Sequence, residues 1–325
     1  MTGFGIVGTG VIAALHAAAI RTLPGARLAA VTDVAAGAAG AFAAARGCAA
    51  EPDLDALLAR PDIDVVCVCV PSGLHAEIGV RAARAGKHLA VEKPVDVTLA
   101  AADRLIEAAR TAGVALTVIS QHRFDPGLVE LKRLIDDGAL GRLVLGEAST
   151  KWYRTQAYYD SAGWCMGPVT EVTAACATQA HQVEVEDTAL ALVRFASGAV
   201  GTIMSTTAAY PGFPQRLEVT GTGGTVIVED GRITRRALTA DGHGAAGPDA
   251  AVPDEADTGA AGPGAAADPA AIEVASHAAQ LADLLSAVAA GREPAVGGQA
   301  GRDALEIICA VYESARTGRT VSLGS

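Results

Sequence analysis

The sequence predicts an α/β protein, with a doubly wound parallel sheet at the amino end and a second domain on a mostly antiparallel sheet. Three observations predict it. Residues 1 to 120 alternate short apolar runs with alanine-rich helical stretches. The first apolar run, starting at Phe4, breaks at Gly8-Thr9-Gly10 and continues as a helical pattern. Beyond residue 120 the helical spacing gives way to runs rich in Val, Thr and Leu, punctuated by glycine. Strands alternating with helices indicate βαβ units and a parallel sheet, whereas runs separated by glycine turns indicate hairpins.

In order, the strands read as 4–8, 28–33, 65–70, 88–91 and 115–119, and the helices between them as 13–23, 35–46, 53–60, 75–85 and 98–112. The strands are apolar throughout, as expected when both faces are covered. Pro61-Asp62 marks the turn before the third strand, and Gly86 ends the helix before the fourth. A helix from Pro126 to Asp137 is stopped by Gly138, and strands follow at 143–151, 169–176, 188–196, 199–207, 216–221 and 225–229. Gly198, Gly223 and Gly224 are the hairpin turns. Residues 239–268, of Ala, Gly, Asp and Pro, cannot offset their own ordering entropy and read as a mobile surface loop. Residues 271–316 read as two helices split by Gly291-Arg292-Glu293-Pro294 and packed back on the body. The domains are thus 1–121 and 122–325.

With 325 residues, half of them hydrophobic, the chain can bury a large core. Its net charge of −11 argues against a nucleic-acid partner, whose phosphates need Lys and Arg. No apolar stretch is long enough to span a bilayer, and no basic n-region precedes the first strand, so a cytosolic protein without a membrane partner is expected. The six cysteines form no CxxC pair. Cys67 and Cys69 alternate with valines and read as small buried hydrophobes, with no metal site expected.

Gly8-x-Gly10-x-x-Ala13 between a strand and a helix is the context for dinucleotide binding. Gly8 permits the tight turn, Gly10 leaves room for a pyrophosphate, and Ala13 lets helix and strand pack closely. Asp33 closes the next strand, where a carboxylate accepts hydrogen bonds from an adenosine ribose. That carboxylate repels a 2′-phosphate, and Val34 to Gly37 supply no cation, so NAD is favoured over NADP. The third strand ends at Pro71, Ser72 and His75, placed to line a cofactor cleft. For His75 the alternative is a helix-start residue bonded to backbone. The fourth strand ends in Glu92-Lys93-Pro94, and Pro94 holds Lys93 extended at the strand's carboxyl end. An ammonium there would hydrogen-bond a substrate hydroxyl and stabilise alkoxide character as hydride leaves; the alternative is a solvated turn lysine.

Gly8-Thr9-Gly10, the Pro71 to His75 turn and Glu92-Lys93-Pro94 resemble the Gfo/Idh/MocA oxidoreductases, a family that includes glucose–fructose oxidoreductase and inositol dehydrogenases. The resemblance extends to Gln121-His122-Arg123-Phe124, Gly141-Arg142-Leu143, Glu186-Asp187-Thr188 and Tyr312-Glu313-Ser314-Ala315. It implies an NAD(P)-binding Rossmann domain, then an α/β domain with a large open sheet, and redox chemistry on sugars, polyols or related molecules. It also implies a substrate-site role for Lys93. The cofactor set is then Gly8, Gly10, Ala13, Asp33, Pro71, Ser72, His75, Glu92 and Lys93. Arg123, Trp152, Tyr153, Arg154 and Tyr158 are candidates for the substrate side, with ordinary strand packing as the alternative for the aromatic cluster.

One departure bears on catalysis. The family carries a glycine-rich segment and a helix with a proton-accepting His in its second domain. Here Gly163-Trp164 leads directly through Cys165 to Met166-Gly167-Pro168-Val169. Either the segment is deleted or the sequence omits it. His181 and His122 are the nearest substitutes, and neither is assigned as base. Two readings stay open: a dehydrogenase of a sugar, inositol or similar polyol, and a non-catalytic dinucleotide-binding sensor or partner subunit. An open sheet needs covering, so a homodimer or homotetramer is expected under either, and a purely structural oligomer is compatible with both.

Overall fold

The computed structural model describes residues 1–151, 168–239 and 274–324. Trp152, Tyr153, Arg154, Tyr158, the Trp164 to Met166 junction and nearly all of the low-complexity stretch lie outside the described residues. The chain divides into two compact units, Met1–Phe124 with Glu273–Leu305, and Asp125–Ile272 with Glu306–Ser325.

The first unit is a six-stranded parallel sheet of β1 (Thr2–Val7), β2 (Ala26–Thr32), β3 (Ala49–Ala50), β4 (Val65–Val68), β5 (His88–Val91) and β6 (Leu116–Val118). Their spatial order is β3-β2-β1-β4-β5-β6. Helices α1 (Val11–Thr22), α2 (Ala38–Arg46), α3 (Leu54–Leu58), α4 (His75–Arg84) and α5 (Leu99–Ala112) connect them. The chain steps outward from β1 to β3 and then returns to place β4 on the other side of β1. That reversal opens a crevice beyond the carboxyl ends of β1 and β4, where ligands of such sheets bind.

The apolar runs of the sequence are the buried strands. All of Val65, Val66, Cys67 and Val68 are buried, with Cys69 just beyond them. Helix α1 buries Ala13, His16, Ala17 and Ile20, the i, i+3, i+4, i+7 stripe of a helix lying on a sheet. Phe4, Ile6 and Ile20 are fully inaccessible, and each stabilises the unit by about 1.5–3 kcal/mol relative to exposure.

The unit is completed from far along the chain. Helix α7 (Val274–Ala290) brings Leu281 and Leu284 into the core that holds Phe4 and Ile20. Gln280 accepts the Ser120 N–H at 2.9 Å and donates to Thr117 Oγ1 at 2.9 Å and Val118 O at 2.8 Å. Past the helix, Val296 O accepts from the Thr117 hydroxyl and the Val118 N–H. The open edge of β6 is thereby paired rather than left as a bare row of donors and acceptors.

The second unit holds α6 (Pro126–Asp136) and the strands β7 (Leu143–Lys151), β8 (Val169–Ala177), β9 (Thr188–Phe195), β10 (Val200–Thr206), β11 (Arg216–Gly221), β12 (Gly224–Glu229), β13 (Arg232–Leu238) and β14 (Val321–Ser322). They form one eight-stranded sheet in the order β13-β12-β11-β7-β10-β9-β8-β14. Only β7 and β10 pair in parallel. Leu131 and Leu134 of α6 pack with Val172, Val193, Val219 and Val226. Ala310, from helix α8 (Gly298–Thr317), joins the same core. Strand β9 alternates as a sheet with one covered face should: Ala191, Val193 and Phe195 are buried. Leu190 and Leu192 are 47% and 53% exposed, and Met204, opposite Leu190, is 37% exposed. Strand β13 is absent from the sequence reading, because Arg232-Ile233-Thr234-Arg235-Arg236 is too polar to announce a strand.

Candidate active site

The glycine turn follows β1. Gly8 has φ +90°, and its N–H donates to Thr32 O at 2.9 Å. A Cβ at Gly8 would lie 2.4 Å from Cys69 O, so both the backbone angle and the space demand glycine. A Cβ at Gly10 would meet nothing within 4 Å; the approach to the start of α1 is open. No side chain caps α1, and its first turn carries no acid. Its leading N–H groups and positive dipole end are left for an anion such as a pyrophosphate. Ala13 is fully buried, as close helix–sheet packing requires.

Asp33 follows β2. Its Oδ2 accepts the Thr9 N–H and hydroxyl, both at 2.7 Å, and its Oδ1 accepts the Ala35 N–H at 2.8 Å. Burial alone would raise its pKa, but the Ala35 N–H and the two Thr9 donors outweigh that and hold it below the usual carboxylate value. An ionised carboxylate with acceptor capacity left on Oδ1 suits ribose hydroxyls and repels a 2′-phosphate. It also fixes the glycine turn through Thr9, a contact the sequence reading did not include.

Pro71 and Ser72 sit past the carboxyl end of β4, exposed and half-buried respectively. His75 differs from a cleft-facing residue. It is 1% exposed, with Nδ1 2.7 Å from Pro94 O and Nε2 2.9 Å from Val70 O. Its ring ties the β4 turn to the Lys93-Pro94 loop, whose peptide bond is cis. Beside it, buried Asp96 accepts the Ala76 N–H at 2.9 Å and so satisfies a donor in the first turn of α4.

Glu92 continues β5 by donating its N–H to Val68 O, and its side chain turns into the protein. His16 donates Nε2–H to Glu92 Oε1 at 2.7 Å. His277, from α7, places Nε2 3.8 Å from the same oxygen. Both imidazoles are fully buried and meet edge to face, with centroids 5.6 Å apart. Glu92 Oε2 accepts the Lys93 N–H at 3.2 Å. The polar atoms of the three side chains lie within 4.8 Å of one another, a spacing at which they could share a cation. The 2.7 Å contact shows Oε1 engaged in a charge-assisted hydrogen bond.

Charge is distributed unevenly in this cluster. Burial works against an ionised Glu92, yet the hydrogen bond from His16, the His277 imidazole close by and the charges of His16 and Lys93 hold its carboxyl well below the usual range. Burial also opposes a charged His16, but the Cys69 and Cys67 side chains raise its pKa well above the imidazole value, and its Nε2 lies 2.7 Å from the Glu92 carboxylate. Burial pushes the Cys69 thiol up to about 11. His277 goes the other way: burial lowers its pKa, and Glu92 recovers only part of the loss. The arrangement is an imidazolium–carboxylate pair with a neutral imidazole beside it.

The sequence reading named Glu92 and Lys93 but missed both histidines. His16 had a signal, since it falls on the buried stripe of α1 and a buried imidazole needs a partner. Nothing local marks His277. In the second unit, His181 is tied by its N–H and Nδ1 to Asp187 Oδ2 at 3.0 and 3.3 Å. Asp187 is buried and also accepts the N–H groups of Gln179 and Ala180. It organises that loop, and His181 belongs to the same network. Arg123 lies half-buried in the short turn Gln121–Phe124 of the first unit, beside exposed His122.

Comparison with known proteins agrees with this fold. A family model described as "Oxidoreductase family, NAD-binding Rossmann fold" matches residues 2–120, and one described as "GFO/IDH/MocA C-terminal domain" matches residues 128–227. Inositol 2-dehydrogenase of Rhizobium meliloti is 31% identical over 74% of this chain and 79% of the relative. Myo-inositol 2-dehydrogenase of Thermotoga maritima is 28% identical over 98% of both chains. The solved WlbA dehydrogenase of Bordetella pertussis, in complex with NADH and UDP-GlcNAcA, superposes with a TM-score of 0.83 at 29% identity. That match covers 100% of this chain and 98% of the other. The chain belongs to the Gfo/Idh/MocA oxidoreductase family and carries its NAD-binding Rossmann fold.

Proposed function

We propose that this protein is an NAD-dependent dehydrogenase that moves hydride between nicotinamide and a sugar, inositol or related polyol. The observation that carries the reading is the joining of two features on one sheet. The open glycine turn with ionised Asp33 sits at the ends of β1 and β2, and Glu92-Lys93 sits at the end of β5. Bound NAD would supply the hydride acceptor. Gly8, Gly10 and the start of α1 would hold its pyrophosphate, and Asp33 its adenosine ribose. Pro71 and Ser72 would border it, with His75 and Glu92 supporting the loops around it. Lys93 would donate a hydrogen bond to the reacting hydroxyl and stabilise negative charge on that oxygen as hydride leaves. Arg123, Trp152, Tyr153, Arg154 and Tyr158 would serve the polyhydroxyl substrate.

The relatives are named dehydrogenases, which favours the enzymatic reading over a dinucleotide-binding sensor. The apolar outer face of the large sheet, with Leu190, Leu192 and Met204, supports a homodimer or homotetramer. A cytosolic location without nucleic-acid or membrane partners completes the reading. Among the described residues no helix is long and apolar enough to cross a membrane. The test is to mix the full chain with NAD and a panel of polyols that begins with myo-inositol and follow absorbance of the reduced cofactor. Turnover of one member is expected. NADH binding in calorimetry with no turnover across the panel would return the sensor reading.

A further inference from the structure

We propose that the buried His16–Glu92–His277 cluster is the positioning device for Lys93. In it Glu92 fixes the Lys93 backbone and lays its negative charge beside that residue, and the two histidines hold Glu92 in place. The inference deepens the proposed function, since it rests on Lys93 being the residue that meets substrate.

The geometry points this way on three counts. Glu92 accepts the Lys93 N–H through Oε2 while His16 holds Oε1 at 2.7 Å, so both carboxylate oxygens are committed and the side chain cannot swing. The other side of Lys93 is held as well, because His75 contacts Pro94 O at 2.7 Å. The cluster is enclosed: both imidazoles are fully inaccessible and Glu92 is 6% exposed. In such surroundings a fixed charge acts far more strongly than in water.

His277 is the unusual member. Among the described residues neither of its ring nitrogens has a hydrogen-bond partner, and a buried polar group in that state is costly. The contact it does make is Nε2 at 3.8 Å from Glu92 Oε1. A modest approach of α7 towards β5 would turn that contact into a second hydrogen bond on Oε1. The charged and titratable groups that face the cluster are His16 from α1, Cys67 and Cys69 from β4 and its extension, His277 from α7, and Lys93. Helix α7, which the amino-terminal family match does not include, thereby reaches the reaction centre.

Lys93 is one of four lysines, with Lys87, Lys132 and Lys151, so its amine can be followed individually. The experiment is competitive acetylation of the full chain with trace acetic anhydride across pH, read by mass spectrometry of the Lys93 peptide against the other three. It needs neither substrate nor cofactor. In Glu92→Gln, which gives up the anionic acceptor of the Lys93 N–H, that lysine is released from its fixed position and should react about threefold to tenfold faster than in wild type, with the other lysines unchanged. His277→Leu should give a smaller change in the same direction, and His277→Gln, which can still donate to Glu92, should restore wild-type behaviour. If Glu92→Gln fails to fold, the two His277 variants carry the test alone. Unchanged Lys93 reactivity in folded Glu92→Gln, or in both His277 variants, overturns the proposal. Loss of turnover in Lys93→Met tests the underlying reading separately. Full turnover in that variant would sink the substrate role of Lys93, even if the acetylation shifts appear.

Discussion

On the Asp33 side of the crevice, every working residue falls between Gly8 and Ala35, and one β-α-β unit brings them together. On the Lys93 side, Glu92 depends on His16 from the first helix and His277 from α7, near the far end of the chain. The first side is made of backbone: a glycine that no Cβ could replace, N–H groups at a helix start, and one carboxylate tied to them. The second is made of buried side chains whose charges fix one another. A site of the first kind is a local pattern and survives wherever the unit folds. A site of the second kind exists only once three separated segments have packed.

The comparison can be broken most severely at Gly8. Gly8→Ala sets a Cβ 2.4 Å from Cys69 O at φ +90°, so we expect a loss of about 3 kcal/mol or more and loss of NADH binding. Urea unfolding and fluorescence titration of NADH check it, and a wild-type unfolding midpoint would show the turn to be more forgiving than its geometry. Next is Lys93→Met. Turnover should fall about 100-fold or more while the NADH dissociation constant stays within about threefold, which separates the two sides functionally. A parallel loss of NADH binding would mean the sides are not independent.

Asp33→Asn should weaken NADH binding about tenfold and narrow the preference for NAD over NADP, because the repelling charge is gone but the Thr9 contact can persist. Titration with both cofactors measures it, and an unchanged preference would remove Asp33 as its source.

The smallest effect is on stability against pH. The folded-state pKa of Glu92 is depressed, so its contribution is present above its unfolded value of about 4.3 and lost as pH falls through the folded one. The pKa of His16 is raised, so its contribution is complete below about 6.5 and lost as pH rises through the folded value. Together they stabilise most between about pH 4.3 and 6.5. His277 opposes them: its depressed pKa makes stability fall as pH drops through about 6.5. Unfolding free energies of wild type and Glu92→Gln from urea titrations, compared from about pH 4 to 9, should differ most inside that window, by roughly 1–2 kcal/mol. A constant offset would mean the cluster carries no coupled charge.

The sequence by itself determined the parallel sheet, the glycine turn, Asp33 and the position of Lys93, because each depends on neighbours a few residues away. Apolar runs too long to alternate had to become strands covered on both faces, and Gly8-x-Gly10 had to become the turn between strand and helix. Local pattern could not show that His75 clamps two loops instead of facing the cleft, or that a polar arginine-rich stretch completes the large sheet as β13. Nor could it show that α7 returns to pair the edge of β6 and bring His277 to Glu92. Tertiary structure decided these, since the partners are remote in sequence and a buried polar group finds its match only after the surrounding apolar surface has closed.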